Sequence, residues 1–472
     1  MNVLQVSTTD TIGGAEKIAW NLFQAYRSRG HGSRLAVGRK FSNDPDILLI
    51  PNEKLQGSWC RGWLALSRYL ESLDGRFRGA WRLSDLIRGV AEPRKWLDQY
   101  RGIEDFHFPG TWHLLRLTSH VPNLVHFHNL HGGYFDLRVL PWLSQRIPVV
   151  VTLHDAWLFS GHCSHSLECE RWKTGCGQCP DLTTYPSIQR DATNFNWRRK
   201  QEIYSKSRLY VTTPSRWLMN KVEHSMLAPA VVDTRIIPNG VDLTVFYRAE
   251  MQATRAALGL PQDTKVLVFA ASKIRRNVWK DYNTMKAAIS FLGTRLHRQK
   301  VLFVALGEDA STERIGQVEV RFVPYQKDAE LVARYYQAAD LYLHAARADT
   351  FPNTVLEALA CGTPVVATAV GGIPEQVRGL EMAICGWRFN PFNTYQVDEA
   401  TGVMVPPGDA EAMALGIERL LKDGPLRRRL GENAARDARQ RFDLQKQVDS
   451  YLEWYGELLR NNPQYAIATS RL

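Results

Sequence analysis

No run of about 20 apolar residues occurs anywhere in the 472-residue chain, so a bilayer-spanning helix is not expected. The N-terminus, MNVLQVSTTDTIGG, has no basic leader, and its apolar stretch is too short for a signal peptide, so the expected compartment is the cytoplasm. Cysteine is scarce. Seven residues, an odd number without a secretion signal, argue against a disulfide framework. Charged residues make up 23% and apolar residues 44%, which excludes wholesale disorder and supplies core for two ordinary domains. The balance of charge is basic, with net charge +11, but no nucleic-acid-binding motif accompanies it. No nucleic-acid partner is therefore expected, and phosphorylated small molecules or anionic lipid surfaces suit the charge as well.

What is present reads as alternating strand and helix. VLQVST (Val3 to Thr8) runs into a turn with Gly13 and Gly14, then an amphipathic helix to about Arg29. Strand, glycine turn and helix open a nucleotide-binding type of α/β domain, although a lone glycine pair also makes an ordinary tight turn. NLVHFHNLHG and PVVVTLHD are buried strands with polar tips, which places His126, His128, His131 and His154 at or near strand ends, where parallel sheets hold ligands. No carboxylate set at metal-ligand spacing joins them, so no catalytic metal is read there. A second domain starts near residue 250 with KVLVFAAS. Alternation in both halves predicts parallel sheets covered by helices on both faces.

Two segments stand out from this pattern. Between Trp59 and Tyr100, eight Arg or Lys and five Asp or Glu are interleaved with Trp59, Trp63, Phe77, Trp81 and Trp96. That is the composition of a membrane-surface element, a peripheral contact with anionic lipid. The favoured expectation is instead helices that pack Trp inward and leave Arg solvated. GHCSHSLECERWKTGCGQCPD carries Cys163, Cys169, Cys176 and Cys179 in the spacing C-x5-C-x6-C-x2-C. Four thiols this close suggest a structural zinc site, with a metal-free loop or paired disulfides as the alternatives.

The stretch Ala348 to Pro374, ADTFPNTVLEALACGTPVVATAVGGIP, reads as loop, helix, strand and glycine turn. A helix start beside a buried strand can cradle a phosphorylated ligand. With GGAEK, TLHD, IIPNGVDLTVF, Lys280, VMVPPGD and the final helix from Phe442 to Leu459, this stretch resembles the family 4 glycosyltransferases of the GT-B fold. The resemblance covers nearly the whole chain. The block from TLHDAW to NWRRK, with its cysteines, is similar to a subgroup associated with bacterial exopolysaccharide and O-antigen assembly.

The resemblance implies two doubly wound Rossmann-like domains facing a central cleft. They span residues 1–245, the acceptor domain with the basic–aromatic segment 57–120 and the Cys-rich block 160–182, and 246–440, the donor domain. Residues 441–472 form a terminal helix and tail crossing back to the first domain. It implies a retaining transferase that needs no cofactor and moves a sugar from a nucleotide diphosphate sugar to a lipid-linked or oligosaccharide acceptor at the inner face of the plasma membrane. By analogy Lys280 and the Asn353 and Thr354 amides hold the diphosphate, with Phe351 in the same binding loop. Glu357 takes the ribose, Asp349 the donor sugar, and His154 the sugar or the forming bond. Gly13, Gly14 and His128 line the first-domain side. An Asp-x-Asp metal motif is not read into Asp44-Pro45-Asp46, which has a proline between its acids. Two departures accompany the likeness. Asp349 stands where the family favours Glu, and AASKIRR replaces the usual strand-end Arg, so that Arg275 is one of three candidates for the second phosphate cation. A non-catalytic nucleotide-sugar-binding protein and a GT-B sugar epimerase are the alternative readings.

Overall fold

The computed structural model describes residues 1–73, 79–295, 299–380 and 394–462. Arg76, Phe77 and Arg78, most of the long connection from Arg378 to Asp398, and the tail beyond residue 462 lie outside the described residues. The chain divides into two compact units. One comprises residues 1–213, 218–236 and 451–472, the other 214–217 and 237–450. The division falls after Ile236, so PNGVDLTVF belongs with the second unit. Residues from Tyr451 onward belong with the first.

The first unit is built on strands β1 (Asn2–Thr9), β2 (Gly32–Arg39), β3 (Ile47–Leu49), β4 (Leu124–Phe127), β5 (Val149–Thr152), β6 (Leu209–Thr213) and β7 (Val231–Ile236). They form one parallel sheet in the order β3-β2-β1-β4-β5-β6-β7. The strand order reverses between β1 and β4, where the loops at their carboxyl ends part to opposite faces and leave a crevice. Helix α1 (Gly14–Ser28) follows β1 and buries Ile18, Ala19, Leu22 and Phe23, the spacing expected of a helix with one face on a sheet.

The second unit carries β8 (Lys265–Ala270), β9 (Val301–Leu306), β10 (Glu313–Ile315), β11 (Val318–Val323), β12 (Leu341–His344), β13 (Val365–Thr368) and β14 (Gly402–Val405). Their order is β10-β11-β9-β8-β12-β13-β14, with only the edge strand β10 antiparallel. Side chains alternate between two cores: Leu267 and Phe269 of β8, with Phe303 and Ala305 of β9, enter one, while Val266, Val268, Leu302 and Val304 enter the other. A sheet that is apolar on both faces must be covered on both, which is why these strands read as unbroken apolar runs in sequence. The reversal here lies between β8 and β12.

The terminal helix, Leu444–Asn461, contributes Tyr451, Trp454 and Tyr455 to the interior of the first unit. The Tyr455 hydroxyl lies 2.6 Å from Nδ1 of His126 and 3.3 Å from the Tyr26 hydroxyl, and the Tyr451 hydroxyl lies 2.9 Å from Thr152 Oγ1. His126 Nε2 in turn bonds Thr152 Oγ1 at 2.7 Å. Burial lowers the His126 pKa to about 3, so this histidine is a neutral structural pin for the helix.

The basic–aromatic segment departs from the expectation. It folds as α2 (Ser58–Ser72), α3 (Ala80–Ala91) and α4 (Pro93–Tyr100), but Trp59, Trp81 and Trp96 are 64%, 52% and 53% exposed. The residues buried on α2 and α3 are small, namely Ser67, Ala80, Ser84 and Ala91. Short side chains let the two helices approach closely; Trp63, Leu64, Leu70 and Ile87 are half-buried, and Trp59, Leu66, Trp81, Leu83, Leu86 and Val90 are left exposed.

Candidate active site

In the second unit the reversal between β8 and β12 gathers the polar groups. The segment Trp279–Asp281 runs back along Ala345–Arg347, with Asp281 N donating to Ala345 O at 3.0 Å and Arg347 N to Trp279 O at 2.9 Å. This short antiparallel bridge delivers Lys280 to Asp349, and the two side chains form an ion pair. His344, the last residue of β12, lies beside both: its Nε2 is 3.3 Å from Asp349 Oδ2 and 3.2 Å from Lys280 Nζ. The Tyr342 hydroxyl is 3.1 Å from His344 Nδ1 and also bonds the Thr354 side chain. With Tyr342 donating to Nδ1, His344 carries its proton on Nε2 and donates it to Asp349.

Burial works against charge at this cluster, and the outcome differs by residue. His344 is pushed down to about 4, first by burial and then by the Lys280 ammonium, so it is neutral at physiological pH. Burial would raise the Asp349 carboxyl, but the Lys280 charge and the His344 hydrogen bond outweigh it and hold the group well below the usual carboxylate range. The site therefore presents one cation, one anion and a neutral imidazole. Lys280 and Asp349 are 14% and 17% exposed, enough for a ligand to reach them.

The turn after β13 explains how Asp349 is held. Gly371 has φ +57°, and a Cβ there would lie 1.8 Å from the Asp349 carbonyl oxygen. A Cβ on Gly372 would lie 2.0 Å from the Thr350 carbonyl oxygen. Only glycine permits this approach, and Gly372 N donates to Asp349 O at 3.3 Å. The helix Asn353–Ala360 then begins at Pro352, which brings no side-chain acceptor to its first turn. Asn239 of the PNG turn donates to Asn353 Oδ1 at 3.1 Å and to the Phe351 carbonyl at 3.4 Å, steadying the helix start. Glu357, one turn further on, is buried and accepts from the Tyr336 hydroxyl at 3.2 Å.

Two residues expected to meet substrate are engaged elsewhere. Phe351 packs its ring in the core against Phe442, with centroids 5.9 Å apart. Arg275 is paired with Glu308, Nε to Oε1 at 2.9 Å, while its backbone N–H donates to Oε2 at 2.8 Å, and its guanidinium lies over Phe322. An arginine tied on three sides is poorly placed to serve as a mobile phosphate clamp.

In the first unit the reversal between β1 and β4 carries the expected glycines and histidines. Gly13 has φ +120°, and a Cβ would fall 2.0 Å from Glu16 Oε2, whereas a Cβ on Gly14 would meet nothing within 4 Å. The steric demand for glycine is thus at Gly13, and open space lies at Gly14. His128 Nδ1 is 3.2 Å from His154 Nε2, and its Nε2 is 3.0 Å from the Gln5 side-chain amide. Burial lowers both histidines, His154 to about 4, so the pair is uncharged. Next to them His131 Nε2 bonds Asp155 Oδ2 at 2.7 Å. Burial would lower His131, but the Asp155 carboxylate outweighs it and raises it.

Cys163, Cys169, Cys176 and Cys179 line one small cavity of about 20 Å³ with Trp172, and all four are free thiols. Burial pushes Cys163 up to about 11 and Cys176 up to about 12. Among the described residues no group of three His, Cys, Asp or Glu side chains is arranged to hold a metal. The four thiols face one cavity without converging as a ligand set in this arrangement, and a zinc ion would itself displace their protons on binding.

Sequence reading missed His344, Tyr342, Asn239 and the Gly371–Gly372 pair as parts of the site. His344 had a usable signal, as a histidine closing an apolar strand five residues before Asp349. The others depend on which segments come together.

Two doubly wound sheets, each with polar groups gathered at its switch point, define the GT-B class of glycosyltransferases. The chain matches Glycosyltransferase Family 4 over residues 12–245 and Glycosyl transferases group 1 over residues 250–437. It is 32% identical over 376 residues to the D-inositol 3-phosphate glycosyltransferase of Mycobacterium bovis (strain BCG / Pasteur 1173P2), covering 75% of this chain and 68% of that protein. Over 268 residues it is 25% identical to the putative colanic acid biosynthesis glycosyl transferase WcaC of Escherichia coli K12, covering 52% of this chain and 60% of that one. The chain spans about half the length of a further curated relative it matches, at 50%. Among solved structures, Anabaena Alr3699/HepE in complex with UDP-glucose aligns with TM-score 0.58 at 17% identity, over 97% of this chain and 100% of that one. The chain belongs to the family 4 glycosyltransferases. Among the described residues no helix is long and apolar enough to cross a membrane.

Proposed function

We propose that this protein is a retaining, metal-independent glycosyltransferase that moves a sugar from a nucleotide diphosphate sugar to a lipid-linked or oligosaccharide acceptor in cell-surface polysaccharide biosynthesis. The observation that carries this reading is the Lys280–Asp349–His344 cluster at the switch point of the second sheet, beside the start of the helix Asn353–Ala360. Breaking a glycosidic bond to a diphosphate leaves growing negative charge on the leaving group. A lysine ammonium beside a helix N-terminus is suited to stabilise that charge without a metal.

The ion pair gives the lysine a resting partner. When the diphosphate arrives, Lys280 can share its three donors with the phosphate oxygens, and the Asp349 carboxylate becomes available to sugar hydroxyls. His344, neutral and bonded to Asp349, keeps the carboxylate oriented during that exchange. Glu357, fixed by Tyr336, is suited to accept from ribose hydroxyls. In the first unit, a neutral His154 can accept or donate one hydrogen bond to a sugar hydroxyl, and Gly14 leaves open space for a ligand. The HepE complex with UDP-glucose supports a uridine nucleotide as the first donor to try, and the WcaC likeness supports a polysaccharide acceptor.

Purified protein incubated with a panel of nucleotide sugars and lipid-linked saccharide acceptors should release nucleoside diphosphate and yield product with retained anomeric configuration. Glu357→Ala should lose at least tenfold in nucleotide affinity. Binding of nucleotide sugar without release for any donor and acceptor would move the reading to a non-catalytic binding protein, and inverted product would refute retention.

A further inference from the structure

The hairpin of α2 and α3 exposes what globular domains usually hide. Of the 24 large apolar side chains exposed among the described residues, ten lie between Trp59 and Tyr100, a concentration that scattered surface residues do not produce. They are also ordered. On α2, Trp59 and Leu66 stand at i and i+7, with half-buried Leu70 continuing the stripe at i+11 beside the Ser67 seam. On α3, Leu83, Leu86 and Val90 stand at i, i+3 and i+7, with Leu86 68% exposed. The Trp59 indole donates to the Val90 carbonyl at 3.4 Å, so the two stripes adjoin. The seam between the helices, with Ser67 Oγ 2.8 Å from Ser84 Oγ, is too narrow to take these side chains in.

The charges around the stripes choose the occupant. Arg68, Arg88 and Lys95 are paired with Glu53, Glu71 and Glu92 and contribute little net field. Among the described residues Arg61, Arg82 and Arg94 make no ion pair, against Asp85, which makes none, and Asp98, which faces only His107 at 4.0 Å, so the remaining charge is positive by one. Tryptophan and tyrosine rings beside unpaired arginines match the headgroup region of an anionic bilayer, where the rings sit at the boundary and the guanidinium groups meet lipid phosphates.

We propose that the α2–α3 hairpin is a membrane-docking element that lays its apolar stripes on the surface of an anionic bilayer. This goes beyond the catalytic reading and rests on it only for the expectation of a lipid-linked acceptor. Docking is measured without donor or acceptor, so its failure would leave the transferase reading standing.

The test is co-sedimentation of the full chain with vesicles of phosphatidylcholine alone and of phosphatidylcholine with 30% phosphatidylglycerol. We expect binding to the anionic vesicles, a blue shift of tryptophan emission, and a loss of at least fivefold in binding when NaCl is raised from ~0.1 to ~0.5 M, where screening is strong. Leu66→Ser/Leu86→Ser/Val90→Ser should bind at least tenfold more weakly, with Leu86→Ser alone as the milder variant if the triple variant fails to fold. Arg61→Gln/Arg82→Gln/Arg94→Gln should abolish the preference for anionic over neutral vesicles. Absence of wild-type binding to anionic vesicles overturns the proposal, as does binding by the folded variants equal to wild type. A concentration-dependent dimer that the Leu variants dissolve would instead make the face a contact between copies, and would also overturn it.

Discussion

Asp349→Asn removes one charge from the Lys280 pair while keeping the side chain's shape, and its consequences can be worked from the geometry. Both partners are less than a fifth exposed, at 14% and 17%, so solvent screens the lost interaction only in part. Deleting one partner of a buried pair typically destabilises by about 3–5 kcal/mol. The Asn oxygen still accepts one hydrogen bond from Lys280, so the lower figure of about 2–3 kcal/mol applies. In a unit of this size that is a fall of about 4–12 °C in the melting temperature of the second unit. The sign with pH follows from the depressed Asp349 carboxyl. Its contribution is full above the unfolded carboxylate value of about 3.9 and is lost as pH falls toward the folded value. The gap between wild type and variant should therefore be complete at pH 7 and narrow below about pH 4. A second effect separates the functional reading from a merely structural pair. If Lys280 is the diphosphate ligand, the variant frees it from a competing carboxylate, so UDP affinity should rise at least threefold while sugar transfer falls. Calorimetry across pH with and without UDP reads both. An unchanged melting temperature together with unchanged or weaker UDP binding would refute the argument.

Three further outcomes follow from the same contacts. Gly371→Ala should destabilise the second unit by more than about 3 kcal/mol or displace Asp349, because its Cβ would meet the Asp349 carbonyl oxygen at 1.8 Å in a left-handed conformation; a variant with wild-type melting and transfer rate would contradict this. Tyr455→Phe leaves His126 Nδ1 and the Tyr26 hydroxyl without their shared partner and should cost the first unit about 1–3 kcal/mol, visible by denaturant titration, with donor affinity unchanged. Arg275→Gln should change nucleotide affinity less than threefold in equilibrium binding, since the Arg275 side chain is engaged by Glu308 and Phe322, whereas a tenfold loss would return Arg275 to the phosphate site.

Much of this was legible in the chain before folding. Apolar runs such as KVLVFA and VLFVAL can only be strands buried on both faces, and their alternation with amphipathic helices dictates doubly wound sheets. Asp349, Glu357 and Lys280 were identifiable because their motif is local, with the two acids separated by a helix start and the lysine carried just after a strand. Exposure was not legible. Tryptophan interleaved with arginine on α2 and α3 has the same sequence whether it packs inward or outward, and small residues at the helix seam decided it. The cysteine spacing likewise could not say whether four thiols converge. Most of the site's supporting shell was also invisible, because Lys280 meets Asp349 and His344 only when a strand-order reversal sets the loops after β8 and β12 side by side. Gly371 shows the same division. Its sequence said only that a turn was permitted, while the Asp349 carbonyl 1.8 Å from its absent Cβ shows why no other residue can stand there.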